Sequence, residues 1–260
     1  MARQQTRSQQ KRNAALLKDM GEENTTQRRE KRRNWQQNEC QGLFDFKPTV
    51  WQEEFLNVVE NHKITFCDSV GGVGKTATAL YYACREYLTD PTKQIIFVRT
   101  PAEVGMDKIG ALPGEANLQD KLGFHFESTK ILIEQFIGKA KFEADLGKRI
   151  QFTIPNFALG HTRENCIYIL DEVQLMPPLI LKLLLERIGQ DTKTLVLGSS
   201  GQLYTDAKGR NAMRDARKRF FKENGSKKYQ DIGFYKFPIE AVKRDSVVMD
   251  IVRAYEDENA

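Results

Sequence analysis

Ser69-Val70-Gly71-Gly72-Val73-Gly74-Lys75-Thr76 is the stretch whose reading decides the fold. It follows Lys63–Asp68 (Lys-Ile-Thr-Phe-Cys-Asp), which reads as a short strand, and opens into Lys75–Leu88, where Ala, Leu and Tyr recur at helical spacing. A helix N-terminus offers unpaired backbone N–H groups at the positive end of a dipole, which suits it to bind a chain of phosphates. Glycines let the backbone curl around that chain. Gly71, Gly72, Val73, Gly74, Lys75 and Thr76 are therefore expected to bind nucleotide, with Lys75 reaching the β- and γ-phosphates and the Thr76 hydroxyl ligating Mg²⁺. The full pattern Gly-x4-Gly-Lys-Ser/Thr asks for glycine at position 69, where this chain has Ser69. That position mainly lets the chain leave the strand, and a small residue can serve.

Outward from the loop, Gln94–Arg99, Cys166–Asp171 and Thr194–Gly198 are near-continuous apolar runs of strand length. Helical stretches such as Leu179–Arg187 and Gly209–Lys222 separate them. Runs of this kind imply a mostly parallel sheet covered by helices on both faces, an α/β fold. The run Cys166–Leu170 ends in Asp171-Glu172. The carboxyl ends of parallel strands face the ligand crevice, so this pair is expected beside the phosphate loop. Asp171 suits the Mg²⁺ ion on the Thr76 side, and Glu172 suits a base that orients and deprotonates the attacking water.

The chain has 260 residues, 40% hydrophobic and 29% charged, enough to bury a core and inconsistent with global disorder. No run approaches about 18 apolar residues, so a transmembrane helix is excluded. The polar N-terminus lacks the apolar segment of a secretory signal, and a cytoplasmic protein is expected. Cys40, Cys67, Cys84 and Cys166, like His62, His125 and His161, are scattered without ligand-like spacing, which argues against a zinc site or a disulfide framework. The net charge of +5 is uneven: residues 1–33 hold ten Lys or Arg against four acids, leaving the remainder at 30 against 31. Residues 1–43 thus read as a basic flexible arm and 44–260 as the folded domain. The arm suits either phosphate neutralisation on a nucleic acid or simple solubilisation.

The ordered segments resemble the PhoH-like ATPases, a branch of the P-loop NTPases related to superfamily-one helicases. The resemblance runs from about Lys47 to Tyr255. It takes in Lys47-Pro48-Thr49 with Gln52, Arg99-Thr100-Pro101 with Glu103 and Gly105, and Gly110-Ala111-Leu112-Pro113-Gly114. It continues through Ile169-Leu170-Asp171-Glu172-Val173-Gln174, Glu186-Arg187-Ile188-Gly189, Gly198 with Gln202, and Lys243-Arg244-Asp245. The resemblance implies a RecA-like fold and ATP hydrolysis with Mg²⁺. It also implies that Gln52 meets the adenine edge, that Gln174 and Gln202 sense the γ-phosphate, and that Arg244 approaches the phosphates. A hexameric ring follows from the family as well. One domain leaves its own γ-phosphate uncovered, so Arg244 is expected to serve a neighbouring subunit's ATP.

Three departures stand out. Ser199 occupies the place of a family aspartate, and Leu159 and His161 occupy the places of two arginines. Three functions remain open at this point: an ATP-driven motor or helicase-like remodeller on single-stranded RNA or DNA, an ATP-driven switch acting on protein partners, and a non-catalytic nucleotide-binding module. Intact Lys75, Thr76, Asp171 and Glu172 weigh against the third. The basic arm and the family favour the first over the second.

Overall fold

The computed structural model describes residues 41–101, 118–201, 211–222, 226–243 and 246–256. The arm over residues 1–40, Gln202 and Arg244 lie outside the described residues, as do Glu103, Gly105 and the segment 110–114. In chain order the elements are α1 (Gln41–Asp45), α2 (Val50–Asn61), β1 (Ile64–Asp68), α3 (Lys75–Thr89), β2 (Gln94–Arg99), α4 (Leu118–Ile137) and α5 (Lys139–Asp145). They continue with β3 (Ile150–Thr153), α6 (Pro155–Ala158), β4 (Cys166–Asp171), α7 (Pro178–Leu185), β5 (Lys193–Gly198), α8 (Ala212–Phe220), β6 (Ile232–Tyr235) and α9 (Ser246–Glu256). Helix α1 straddles the boundary drawn after residue 43, so helical structure begins by Gln41.

Six strands form one sheet in the order β3-β2-β4-β5-β1-β6, and every pairing is parallel. The apolar runs are continuous because successive side chains feed opposite layers. Along β4, Ile167 and Ile169 join the core beneath α2, α3 and α4, while Cys166, Tyr168 and Leu170 join the one beneath α7 and α8. The same alternation holds in β2, where Ile95 and Phe97 oppose Ile96 and Val98. The expected α/β architecture, with helices on both faces of a parallel sheet, is therefore the observed one.

This arrangement gathers four strand ends. Asp68 closes β1 opposite Gly198 of β5, and Arg99 closes β2 opposite Asp171 of β4. The strand that leads into the phosphate loop and the strand that carries the acids are separated by β5 alone. Helix α3 spans that gap by packing over both β4 and β5.

Candidate nucleotide site at the carboxyl ends of the strands

The loop over residues 69–74 turns at two glycines in left-handed conformation, Gly72 (φ +86) and Gly74 (φ +87), a geometry that side chains disfavour. Gly74 is the N-cap of α3, so the free N–H groups of the first turn open onto the loop. Its missing side chain has a second use. A Cβ at Gly74 would lie 2.7 Å from Gln52 Nε2, so glycine leaves room for the Gln52 amide against the loop.

Gln52 is buried, and its Oε1 accepts from Thr49 N (3.0 Å) in the capping box that starts α2. Lys243 Nζ also donates to that oxygen at 3.4 Å, and Lys243 N donates to Gly72 O at 3.2 Å. Sequence reasoning left Lys243 without a role, yet it fastens the C-terminal segment onto the loop.

Ser69 is buried, and its φ is not in the left-handed region, so the backbone here does not require glycine. Its hydroxyl accepts from Phe237 N at 2.7 Å, and its own N–H donates to Gly198 O at 3.0 Å. The departure from the glycine pattern is thus a tie between the loop and the segment after β6. Lys75 Nζ curls over the same loop and donates to Ser69 O (2.5 Å) and Val70 O (2.8 Å).

Thr76 Oγ1 donates towards Asp171 Oδ1 (3.3 Å) and Oδ2 (3.4 Å), bringing together two residues 95 positions apart. Burial, and then the neighbouring Glu172 charge, push the Asp171 carboxyl up to about 6, against the pull of Arg99 and Lys75. A hydroxyl and a buried carboxylate at this spacing form an oxygen pair suited to a hard divalent cation, so Thr76 and Asp171 fit Mg²⁺.

Glu172 sits at φ +56, a strained conformation for a non-glycine residue, where the chain leaves β4. Gln174 Nε2 donates to Glu172 Oε2 at 2.6 Å, and Gln174 Oε1 accepts from Ser199 N at 3.2 Å. Gly198 keeps this bridge possible, because a Cβ there would meet Gln174 Oε1 at 2.7 Å.

Arg99 spans the acid pair, with Nε 3.9 Å from Asp171 Oδ2 and an Nη 3.7 Å from Glu172 Oε1. Its role was not foreseen. The sequence shows a cation ending one apolar run and acids ending another, but only the register of β2 on β4 places them opposite each other. Asp68 was missed in the same way. It is buried, its Oδ1 accepts from Ser200 N at 2.7 Å, and its Oδ2 lies 3.7 Å from Arg217. Two buried oxygens at this end, Asp68 Oδ2 and Thr100 Oγ1, lack a hydrogen-bond partner among the described residues.

The departures can be located too. Ser199 contributes its backbone: its N–H goes to Gln174 and its carbonyl accepts from Asn211 Nδ2 at 3.4 Å. Leu159 packs against the core and His161 is exposed. Arg163, two residues on, does not replace the missing arginines, because it is buried with its guanidinium against the Tyr168 ring.

The structure thus brings Gln52, the loop residues, Lys75, Thr76, Asp171, Glu172 and Gln174 to one end of the sheet. None of the described helices is long and apolar enough to cross a membrane. Comparison with known proteins gives a consistent answer. The model of the family described as PhoH-like protein matches residues 47–256. A PhoH-like protein of Synechocystis is 31% identical over 156 residues, covering 59% of this chain and 46% of that protein. A PhoH-like protein of Bacillus subtilis is 24% identical over 81% of this chain and 64% of its own length. Protein PhoH of Escherichia coli is 25% identical over 78% of this chain and 56% of its own length. The chain therefore spans about half to two thirds of the length of these relatives. With its phosphate loop, acid-tipped strand and parallel sheet, the chain belongs to the PhoH-like family of P-loop NTPases.

Proposed function

We propose that this chain hydrolyses ATP, and that it does so as a nucleic-acid-associated motor or helicase-like remodeller on single-stranded RNA or DNA. The observation that carries hydrolysis is the convergence at one end of the sheet of Lys75 over the phosphate loop, Thr76 bonded to Asp171, and Gln174 bonded to Glu172. A module that only bound nucleotide would need the loop but not a strained glutamate held by a glutamine.

In this reading the α3 N-terminus and Lys75 bind the phosphates, and Thr76 with Asp171 hold Mg²⁺, which supplies charge neutralisation at the phosphate oxygens. Glu172, oriented by Gln174, accepts the proton of the attacking water. Gln52 lies against the loop at the edge where a base would meet α2.

The nucleic-acid part rests on the basic arm and on the family. Assembly into a hexameric ring rests on the family alone. Arg244 lies outside the described residues, and in this reading it serves the ATP of a neighbouring subunit, because one domain leaves its own γ-phosphate uncovered. Mixing inactive Lys75→Ala and Arg244→Ala chains tests this point: recovered activity in co-assembled mixtures means trans, and none places Arg244 in cis or outside catalysis.

The experiment that tests the whole reading is an ATPase assay with and without single-stranded RNA and DNA. Stimulation by either polymer is expected. Hydrolysis that ignores both would favour the switch acting on protein partners.

A further inference from the structure

The near-neutral balance of the folded domain conceals a second concentration of positive charge. Residues 211–231 carry seven Lys or Arg against three Asp or Glu, while the rest of the chain beyond residue 33 holds 23 against 28. All seven are exposed: Arg214, Arg217, Lys218, Arg219, Lys222, Lys227 and Lys228.

They are also spatially ordered. Helix α8 buries Ala212, Met213 and Ala216, so Arg214 and Lys218, four residues apart, share the opposite face, while Arg217 lies on the flank, where its guanidinium reaches Asp68 (3.7 Å) and the Phe234 ring (5.6 Å). The following segment folds back beside the helix end. Lys228 N donates to Phe220 O, and Lys222 N donates to Ser226 O.

An exposed aromatic stands among these cations. Tyr229 is 55% exposed, supported by an edge contact with Phe220 (6.2 Å). Some of the bases are committed locally: Arg219 to Asp215 at 2.6 Å, and Lys228 Nζ to the carbonyls of Lys218 and Arg219. Lys218 and Lys222 have no acid partner among the described residues.

We propose that this face of α8, with Lys218, Lys222 and Tyr229, is a docking surface for single-stranded nucleic acid. This rests on the nucleic-acid reading given above and assigns it a place on the folded domain, separate from the arm. A polynucleotide single strand pairs regularly spaced negative charge with exposed base faces, and a cationic track beside an exposed ring complements both. An acidic protein would use the cations and leave the ring without a partner.

The surface is joined to the nucleotide site by direct bonds. Asn211, the N-cap of α8, donates through Nδ2 to the carbonyls of Ser199 and Ser200, and Arg214 also donates to Ser200 O (3.2 Å). Ser199 N in turn meets the Gln174 that holds Glu172.

The test is fluorescence anisotropy of labelled oligo(U) RNA and oligo(dT) DNA with the full chain across a salt series. Tyr229→Ala should weaken binding by about 5- to 150-fold, and Tyr229→Phe should restore it. The double substitution Lys218→Glu with Lys222→Glu should lower the slope of log affinity against log salt by about 0.7 for each lost contact. The two polymers distinguish RNA from DNA as the strand bound. Because all three side chains are exposed, melting temperatures should stay level and certify folding. If the wild type binds and these variants bind with equal affinity and slope, the surface is wrong while the nucleic-acid reading stands. If the wild type binds neither polymer at low salt, the reading falls and the surface with it. Competition by polyglutamate as effective as by oligonucleotide, with Tyr229→Ala neutral, would make this a general polyanion surface and overturn the proposal.

Discussion

The two ends of the sheet are built from similar parts and differ in how completely those parts are satisfied. At the amino end, a cavity of about 450 Å³ is lined in part by Glu60, His62, Lys93, Asp191 and Lys193. Asn165 and Asp191 adopt left-handed conformations there, as Glu172 does at the other end. Lys193 Nζ donates to the carbonyls of Val59, Glu60 and His62 at 2.8–3.0 Å and closes the C-terminus of α2. Lys93 Nζ meets Asn165 Oδ1 at 2.7 Å. At the carboxyl end, two adjacent carboxylates share one arginine at 3.7–3.9 Å, while Asp171 alone takes a hydroxyl at 3.3–3.4 Å and Glu172 accepts from Gln174 Nε2 at 2.6 Å. Left-handed residues and lysines therefore do not mark a site by themselves. The mark is an acid pair whose one shared cation is held loosely, leaving capacity for a second cation and a water.

The largest expected effect sharpens this contrast. Lys75→Ala should abolish hydrolysis, because the loop loses its mobile cation. Glu172→Gln should lower turnover by about 10²–10⁴-fold, the usual worth of a general base, while ATP still binds. Measured turnover and nucleotide affinity together check both. A Glu172→Gln chain that hydrolyses ATP at the wild-type rate would remove Glu172 from the base role.

A smaller effect is expected at Arg99. It is the only side-chain cation among the described residues paired with both Asp171 and Glu172. Arg99→Ala should reduce turnover by about tenfold or more, since attraction at these distances is worth up to about 4 kcal/mol before solvent screening. Arg99→Lys should recover part of the loss by keeping the charge. A faster Arg99→Ala enzyme would instead make Arg99 a brake on the acid pair.

At the opposite end the expected loss is of stability. Lys193→Ala removes three bonds to the end of α2 and should cost about 1–2 kcal/mol, allowing for partial exposure. Turnover at a temperature where both proteins are folded should be unchanged. Chemical denaturation and steady-state kinetics separate these. A Lys193→Ala protein of full stability and lost activity would break the comparison between the two ends.

What sequence alone made legible follows the same division. Strands β2, β4 and β5 announce themselves because both faces are buried and the apolar run is nearly continuous, and β1 by its place before the phosphate loop. The edge strands Ile150–Thr153 and Ile232–Tyr235 are four residues long and largely half-buried, and that pattern does not separate them from loops. Lys75, Thr76, Asp171 and Glu172 are readable because each belongs to a local motif. Arg99, Asp68, Asn211 and Lys243 are not, because their partners are set by strand register and by long-range contacts that no spacing encodes. Ser69 is the instructive intermediate: the motif flagged it as a departure, but only its bond to Phe237 N explains it.

Ser69 carries the most direct test of whether the loop needs glycine at its first position. Restoring the family residue, Ser69→Gly, leaves the buried Phe237 N–H without its acceptor, a loss of about 1–3 kcal/mol. Extra freedom of the unfolded chain adds about 0.5–1 kcal/mol. Ser69→Ala should show the first part without the second, so the difference between the two variants isolates the backbone contribution. Neither should alter turnover in the folded protein, because the serine backbone already adopts a conformation open to any residue. Denaturation midpoints and turnover measured side by side decide it. A Ser69→Gly chain that is both as stable and faster would mean that the hydroxyl restrains the loop, and that this serine tunes the site instead of fastening it.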